Sequence, residues 1–366
     1  TEYIPMRVLA VTAHSDLPET QMFIGLLDAG VHVEVMCPDD APHRQRLIDA
    51  GVTVHTLNLS GRLDKAGAAV IRQRLVEGHF DILHAFNNKA VANGLRASKG
   101  LPARFIAYRG IEANVSVFDP ASWTTYLHPR VDKIICVADA IRRYLVNMRF
   151  LWWRFPPDKA ITIYKGHDLG WYQAPAIPRS ELGLPEDAFV VGCTANERPR
   201  KGLPYLIDAA KLLPDDARIH FLLIGNIDGK KTMQSIAESP AKDRIHLAGF
   251  RSDAPQVLAA CDACILPALK REGLPKAIIE GMVYGVTPIV TDSGGSPELI
   301  EQGKSGLIIE PGSSCAIADA ISQLYADRDS CRRMGTEARQ RIQRDFHTSK
   351  TVEQTLSVYQ ELLSQT

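Results

Sequence analysis

Short apolar runs rich in Val, Ile and Leu alternate along the chain with stretches in which apolar residues recur every three or four positions. RVLAVTA (7–13) reads as a buried strand, followed by a helix over 18–28 that Gly30 closes. VHVEVMC (31–37) and VTVHTLNL (52–59) are the next strands, with helices over 43–50, closed by Gly51, and over 63–77. FDILHAF (80–86), ARFIAYR (103–109), KIICVA (133–138) and AITIYK (160–165) continue the series. Apolar strands of this kind are covered on both faces, and with amphipathic helices between them they build a parallel sheet.

The pattern breaks over 171–188, WYQAPAIPRSELGLPEDA, which is rich in proline and reads as an interdomain linker. It then restarts with strands over 189–195, 218–225, 244–249, 263–268, 286–291 and 306–310, and with helices over 203–213, 230–238, 254–261 and 275–284. Helices fill 314–326, 329–344 and 349–364. The expected fold is α/β, two doubly wound domains. The first spans 1–170 with the last helix, 349–366, added to it, and the second spans 171–348. Ligand sites are expected at the carboxyl ends of the strands, facing a central cleft.

The stretch from Lys270 to Ile300 carries the most chemistry. Strand 263–268 runs into Lys270-Arg271-Glu272-Gly273-Leu274, and Pro275 suits the first position of the following helix. The amides of Gly273 and Leu274, with the positive end of that helix, form an anion site. Gly285 closes the helix, a strand follows, and Asp292-Ser293-Gly294-Gly295-Ser296 leads into another helix with Ser296 as its N-cap. Two adjacent amide-rich loops suit a nucleotide diphosphate; the plain alternative is a pair of turns that only cap helices. Glu272 and Glu280 are eight residues apart, about 12 Å of rise along a helix. The carboxylate pairs of glycoside hydrolases stand about 5–9.5 Å apart. Separate points on a long ligand fit better, Glu272 reaching a sugar and Glu280 a ribose diol. A surface helix position is the other reading of Glu280.

The run EGLPKAIIE, followed by GMVYG, VTDSGG and PELI, resembles the nucleotide-sugar-binding half of the retaining family-4 glycosyltransferases, which have the GT-B fold. Their Glu-x7-Glu motif matches Glu272 and Glu280. HLAGFRSDAPQVLAACDACILPA (246–268) and KGLPYLIDAA resemble neighbouring segments of the family, and the likeness is close over about 190–345. The resemblance implies that Glu272 holds donor sugar hydroxyls, Glu280 the ribose, and the Gly273 and Leu274 amides phosphate or sugar oxygens. It also implies that Lys201 pairs with the diphosphate, with Gly294 and Gly295 on the donor side. The family usually has an Arg five residues before that Lys, where this chain has Asn196, itself a donor-binding candidate. Arg198 is the favoured substitute, with Arg200 close by.

The first half carries fewer signals. His14-Ser15-Asp16 follows its first strand without the glycine-rich turn common in the family and is expected to face the cleft, with His14 an acceptor-side candidate. Arg109, ending strand 103–109, is a candidate for an acceptor phosphate or carboxylate, and His84 is a further acceptor-side candidate. Between Arg142 and Phe155, four Arg alternate with five aromatics. Arg149, Trp152, Trp153 and Arg154 in that segment are candidates for a membrane interface; a packed helix and loop is the alternative.

Composition narrows the classes. Lys+Arg and Asp+Glu are both 42, so the formal net charge is zero and a nucleic-acid partner is not expected. The seven cysteines fit reduced thiols better than a disulfide framework, and the single CxxC, Cys261 and Cys264, has no second ligand pair. No apolar run is long enough to span a membrane, and no signal-peptide pattern opens the chain, so a cytoplasmic location is expected, at the inner membrane face for a lipid-borne acceptor. The one Asp-x-Asp, Asp327-Arg328-Asp329, lies between two late helices, so no metal and no cofactor are expected. Together these readings describe a transferase moving a sugar from a nucleotide-diphosphate donor to a surface-glycan or glycolipid hydroxyl, such as lipopolysaccharide core, with retention. A two-domain sugar-binding protein and a sugar-nucleotide epimerase or phosphorylase of the same fold are the rivals.

Overall fold

The computed structural model describes residues 6–215 and 218–365. Residues 1–5 and 366, which the sequence assigns to the first domain, lie outside the described residues, as do 216 and 217. The chain divides into two compact units. One runs up to Gly166 and resumes at Phe346; the other is His167–Asp345.

The first unit holds β1 (Arg7–Val11), β2 (His32–Cys37), β3 (Thr53–Thr56), β4 (Ile82–Ala85), β5 (Arg104–Arg109) and β6 (Lys133–Cys136). A small hairpin of β7 (Arg149–Phe150) and β8 (Trp153–Arg154) precedes β9 (Ala160–Thr162). The main sheet is parallel, in the order β3-β2-β1-β4-β5-β6-β9. Val8, Leu9, Ala10 and Val11 are all essentially inaccessible, as a strand covered on both faces requires. The helix Leu17–Asp28 starts where Asp16 accepts the Glu19 amide. The last helix, Thr348–Ser364, lies against it. A Cβ on Gly25 would come within 2.5 Å of the Val352 side chain, so the close approach needs glycine. The chain re-enters this unit beside Gly166, where a Cβ would sit 2.6 Å from the His347 carbonyl.

The second unit holds β10 (Phe189–Thr194), β11 (Ile219–Ile224), β12 (Ile245–Gly249), β13 (Ala263–Leu266), β14 (Thr287–Thr291) and β15 (Leu307–Ile309). These form a parallel sheet in the order β12-β11-β10-β13-β14-β15. In each unit the strand order reverses once, between β1 and β4 and between β10 and β13, and open parallel sheets bind ligands outside the carboxyl ends at such a switch point.

Several local expectations need correction. The segment 171–188 is not a free linker. Ile177 N–H donates to Gln256 O at 3.0 Å, and Arg179 reaches Asp262 at 2.9 Å and the Ala260 carbonyl at 3.0 Å, so it packs on the second unit. Glu272 precedes the helix Lys276–Val283, so only the second half of the spacing to Glu280 is helical. Pro275 stands at that helix's N-cap, one place earlier than expected. Ser296 does not cap a helix; it begins a short 3-10 turn, Ser296–Leu299, which Gly295 precedes. The helix Asn88–Ala97 is not expected from the sequence, and Asp139–Val146 supplies the helix that is only the alternative reading of the Arg142–Phe155 segment. All seven cysteines are free thiols, six buried and Cys315 exposed, and burial pushes Cys261 up to about 12.

Candidate functional site

The switch point of the second unit gathers three loops. Gly202, in the left-handed region at φ 70°, follows Lys201; a Cβ there would meet the Pro267 carbonyl at 1.9 Å. Leu269 N–H donates to Arg200 O at 2.8 Å. These contacts fasten the loop after β10 to the loop after β13. The loop after β14 is fastened in turn: Gly295 N–H donates to Glu272 O at 3.1 Å, and Gly294, at φ 57°, lies so close that a Cβ would meet that carbonyl at 2.1 Å. Gly294 and Gly295 therefore brace the Glu272 loop, and the Gly295 amide is already used.

Glu272 is buried, and its Oε1 takes Lys201 Nζ at 3.0 Å and Arg200 Nη1 at 3.2 Å. Arg200 also donates to the Arg271 carbonyl at 3.3 Å. Glu272 Oε2, like the amides of Gly273 and Leu274, has no hydrogen-bond partner among the described residues. The cation beside Lys201 is thus Arg200. Arg198, the substitute favoured from sequence, is exposed and has no side-chain partner among the described residues. Asn196 is exposed too, its carbonyl accepting the Arg198 amide. Between them, Glu197 points away and caps the helix Lys230–Ala237, accepting the Gly229 amide at 2.6 Å and the Thr232 hydroxyl.

Glu280 is buried, not a surface position. Burial pushes its carboxyl above the ordinary range, partly offset by Lys276 at 3.2 Å. At the same edge of the sheet, the hydroxyls of Thr194, Ser293 and Ser296 are buried without hydrogen-bond partners among the described residues. Buried polar groups are normally paired, so three orphans beside two cations and two open amides fit a ligand rich in hydroxyls and oxyanions. Among the described residues no group of three or more His, Cys, Asp or Glu is placed to hold a metal ion.

The switch point of the first unit opens on a cleft of about 850 Å³. Thr12 and Ala13 after β1, Asn87 and Asn88 after β4, and Arg109 and Gly110 at the end of β5 line it. Arg109 is buried under the Tyr126 ring, 4.7 Å from its centroid, and donates to Asn88 Oδ1 and Ile111 O, both at 3.1 Å; its Nη2 has no hydrogen-bond partner among the described residues. Asn87 caps the helix Asn88–Ala97 by accepting the amides of Lys89 and Ala90 at 3.0 Å, so a helix N-terminus also faces this cleft. Sequence reading missed Asn88 and Lys89 because it missed the helix.

The histidines fare otherwise. His84 lies outside the cleft lining. It is fully buried, its Nδ1 bonded to Tyr359 OH at 2.7 Å, and burial holds it near 3, neutral at any ordinary pH. It is a core residue that ties β4 to the last helix. His14 is exposed beside the cleft and does not line it. Of the interface candidates, Arg149, Trp152 and Arg154 are exposed. Trp153 turns inward, edge-on to Trp123 at 4.7 Å. No described helix is long and apolar enough to cross a membrane.

Known proteins resemble this chain along its length. The model of "Glycosyl transferases group 1" matches 177–341, and that of "Glycosyltransferase Family 4" matches 21–171. The putative glycosyltransferase EpsD of Bacillus subtilis is 32% identical over 183 residues, covering 50% of this chain and 48% of that protein. The chain thus spans about half the length of that curated relative. An Escherichia coli UDP-Gal:alpha-D-GlcNAc-diphosphoundecaprenol alpha-1,3-galactosyltransferase is 25% identical over 357 residues, 90% of this chain and 89% of that one. Among solved structures, Anabaena HepE in complex with UDP aligns at TM-score 0.80 and 21% identity over 98% of this chain and 100% of that one. A Rickettsia africae glycosyltransferase aligns at 0.84 and 19% over the whole of both. With both halves matched in order and the two-unit parallel α/β fold shared throughout, the chain belongs to the family-4, group 1 glycosyltransferases of the GT-B fold.

Proposed function

We propose that the protein transfers a glycosyl group from a uridine-diphosphate sugar to a hydroxyl of a cell-envelope glycan or glycolipid, with retention of configuration. The observation that carries the reading is Glu272 held through one oxygen by Lys201 and Arg200, beside the open amides of Gly273 and Leu274. On donor binding the two cations turn to the diphosphate, and Glu272 is released to accept sugar hydroxyls. Glu280 accepts from the ribose. The bond from the anomeric carbon to the diphosphate oxygen breaks while the acceptor oxygen bonds to that carbon on the same face. The acceptor proton passes to an oxygen of the departing diphosphate. Lys201 and Arg200 stabilise the charge that develops on that group, a large effect in a site screened from water.

The acceptor end of the reading rests on the first unit. An acceptor phosphate or carboxylate suits Arg109 and the N-terminus of the helix Asn88–Ala97, and a lipid-diphosphate-linked acceptor is handled by the Escherichia coli relative, by its name. Lipopolysaccharide core is one such surface glycan. The reaction is proposed to need no metal. The test is a donor panel assayed with and without EDTA: release of UDP that depends on an envelope-glycan acceptor and survives chelation supports the reading. Binding of UDP without release from any UDP-sugar would favour a sugar-nucleotide binding protein.

A further inference from the structure

We infer that the hairpin of β7 and β8 is an anchor for an anionic lipid surface, and that its tip, Leu151-Trp152, is the part that enters it. Trp152 is 88% exposed and Leu151 75%. Soluble surfaces carry single exposed apolar residues freely, but contiguous groups of large ones mark an interaction site. Here the group is contiguous. Phe118, 80% exposed, meets Phe150 edge-on at 5.7 Å, and Phe150 leads directly into the tip.

The backbone presents this group rather than hiding it. Two-residue hairpin turns favour Asn-Gly or Gly at positions of positive φ. This turn places Leu151 at φ 53°, a conformation that is costly for a residue with a Cβ. The base of the hairpin is firmly held: Trp153 packs on Trp123, Phe155 is buried, and Phe155 N–H donates to Met148 O at 3.2 Å. A strained, apolar, fully projected tip on a packed base is a device for insertion.

Charge selects the surface. Arg149 and Arg154 stand directly opposite each other across the two strands. Like charges in that position repel, and neither has a carboxylate partner among the described residues. Arg143, the next cation, is also exposed, though it leans on Asp139 at 3.5 Å. An array of lipid phosphates relieves the repulsion while the tip sits at headgroup level, where Trp is favoured. Glu112 is half-buried and faces Arg143, and no ion pair joins a carboxylate to Arg149 or Arg154 among the described residues.

Co-sedimentation of the whole protein with vesicles tests the assignment, comparing phosphatidylcholine alone with phosphatidylcholine containing phosphatidylglycerol. Binding should require the anionic lipid and weaken with salt. The double change Arg149→Gln and Arg154→Gln should lower it roughly thirtyfold, each surface cation being worth about fivefold. Trp152→Ser should lower it about as much with an unchanged melting temperature, because the side chain has no packing to lose. Subtracting the emission of the Trp152→Ser protein should leave a Trp152 signal that shifts to the blue on vesicle addition. Binding unaltered by both variants overturns the assignment. So does a Trp152 shift that follows protein concentration without lipid, which would make a second copy of the chain the occupant.

Discussion

Glu34 and Glu272 are both buried carboxylates gripped by basic side chains, and the difference between them separates scaffold from site. Glu34 lies within β2, its neighbours in register Leu9 and Thr53. Each of its oxygens has two partners: Arg74 Nη2 at 2.7 Å and His32 at 2.9 Å on Oε1, Arg74 Nε and His55, both at 2.7 Å, on Oε2. A carboxylate offers about four lone-pair directions, so nothing is left for a ligand. Burial raises this carboxyl, but the hydrogen bonds from Arg74, His32 and His55 outweigh it and hold it down at about 2. Glu272 sits beyond the end of β13, with both cations on one oxygen and the other oxygen unused. A saturated cluster inside the sheet holds the fold; a half-satisfied one at the carboxyl edge leaves an oxygen open, as the proposed exchange with a donor requires.

The contrast breaks most visibly if Glu34→Gln is tolerated. That change leaves Arg74, His32 and His55 without their anion and should cost about 3–5 kcal/mol, read as a lower urea midpoint. The same cluster sets an acid limit. A depressed carboxyl stabilises the fold above its ordinary value of 4.5, and that stability should drain away as pH falls from there toward about 2. A wild-type midpoint that is flat across this window, or that falls only above it, would remove Glu34 as the cause.

Smaller effects sharpen the site. Arg200→Ala should weaken UDP binding by about 1.5–3 kcal/mol, the worth of a charge-assisted contact, while Arg198→Ala should stay within about 0.5 kcal/mol. The opposite ranking in calorimetry would restore Arg198 as the substitute cation. Glu280→Gln should weaken UDP binding by about 1 kcal/mol through the lost ribose contact, whereas Glu272→Gln should spare UDP binding and reduce turnover. Because burial raises Glu280, its ionised form is a burden on the fold that is absent below pH 4.5 and grows as pH rises through the raised value. The Gln variant should therefore gain melting temperature relative to wild type at pH 8 and lose that gain at pH 4. His14→Ala, exposed and outside the cleft lining, should change neither stability nor turnover by more than about 0.5 kcal/mol.

Strand positions were legible in the sequence because parallel strands are apolar on both faces, and every expected strand appears within a few residues. Elements held by polar or close-packed contacts were not. The helix Asn88–Ala97 buries Asn93 and Gly94, whose Cβ would touch Phe105 at 3.0 Å; neither residue signals a helix. The hairpin β7–β8 turns on Leu-Trp, which carries no turn signature. At the site, Glu272, Lys201 and Glu280 could be named from spacing and family likeness. The choice between Arg198 and Arg200 could not, because the short 3-10 turn Pro199–Lys201 decides which of them faces the carboxylate. His84 looked chemical in sequence because its bond to Tyr359 crosses 275 residues.

The central claim is that Lys201 and Arg200 leave Glu272 for a donor diphosphate. Calorimetric titration of uridine and UDP into the wild type and Lys201→Ala tests it most directly. The account predicts that wild type prefers UDP over uridine, and that Lys201→Ala removes about 1.5–3 kcal/mol of that preference while uridine binding is unchanged. An equal loss for both ligands, or no loss for either, would contradict it.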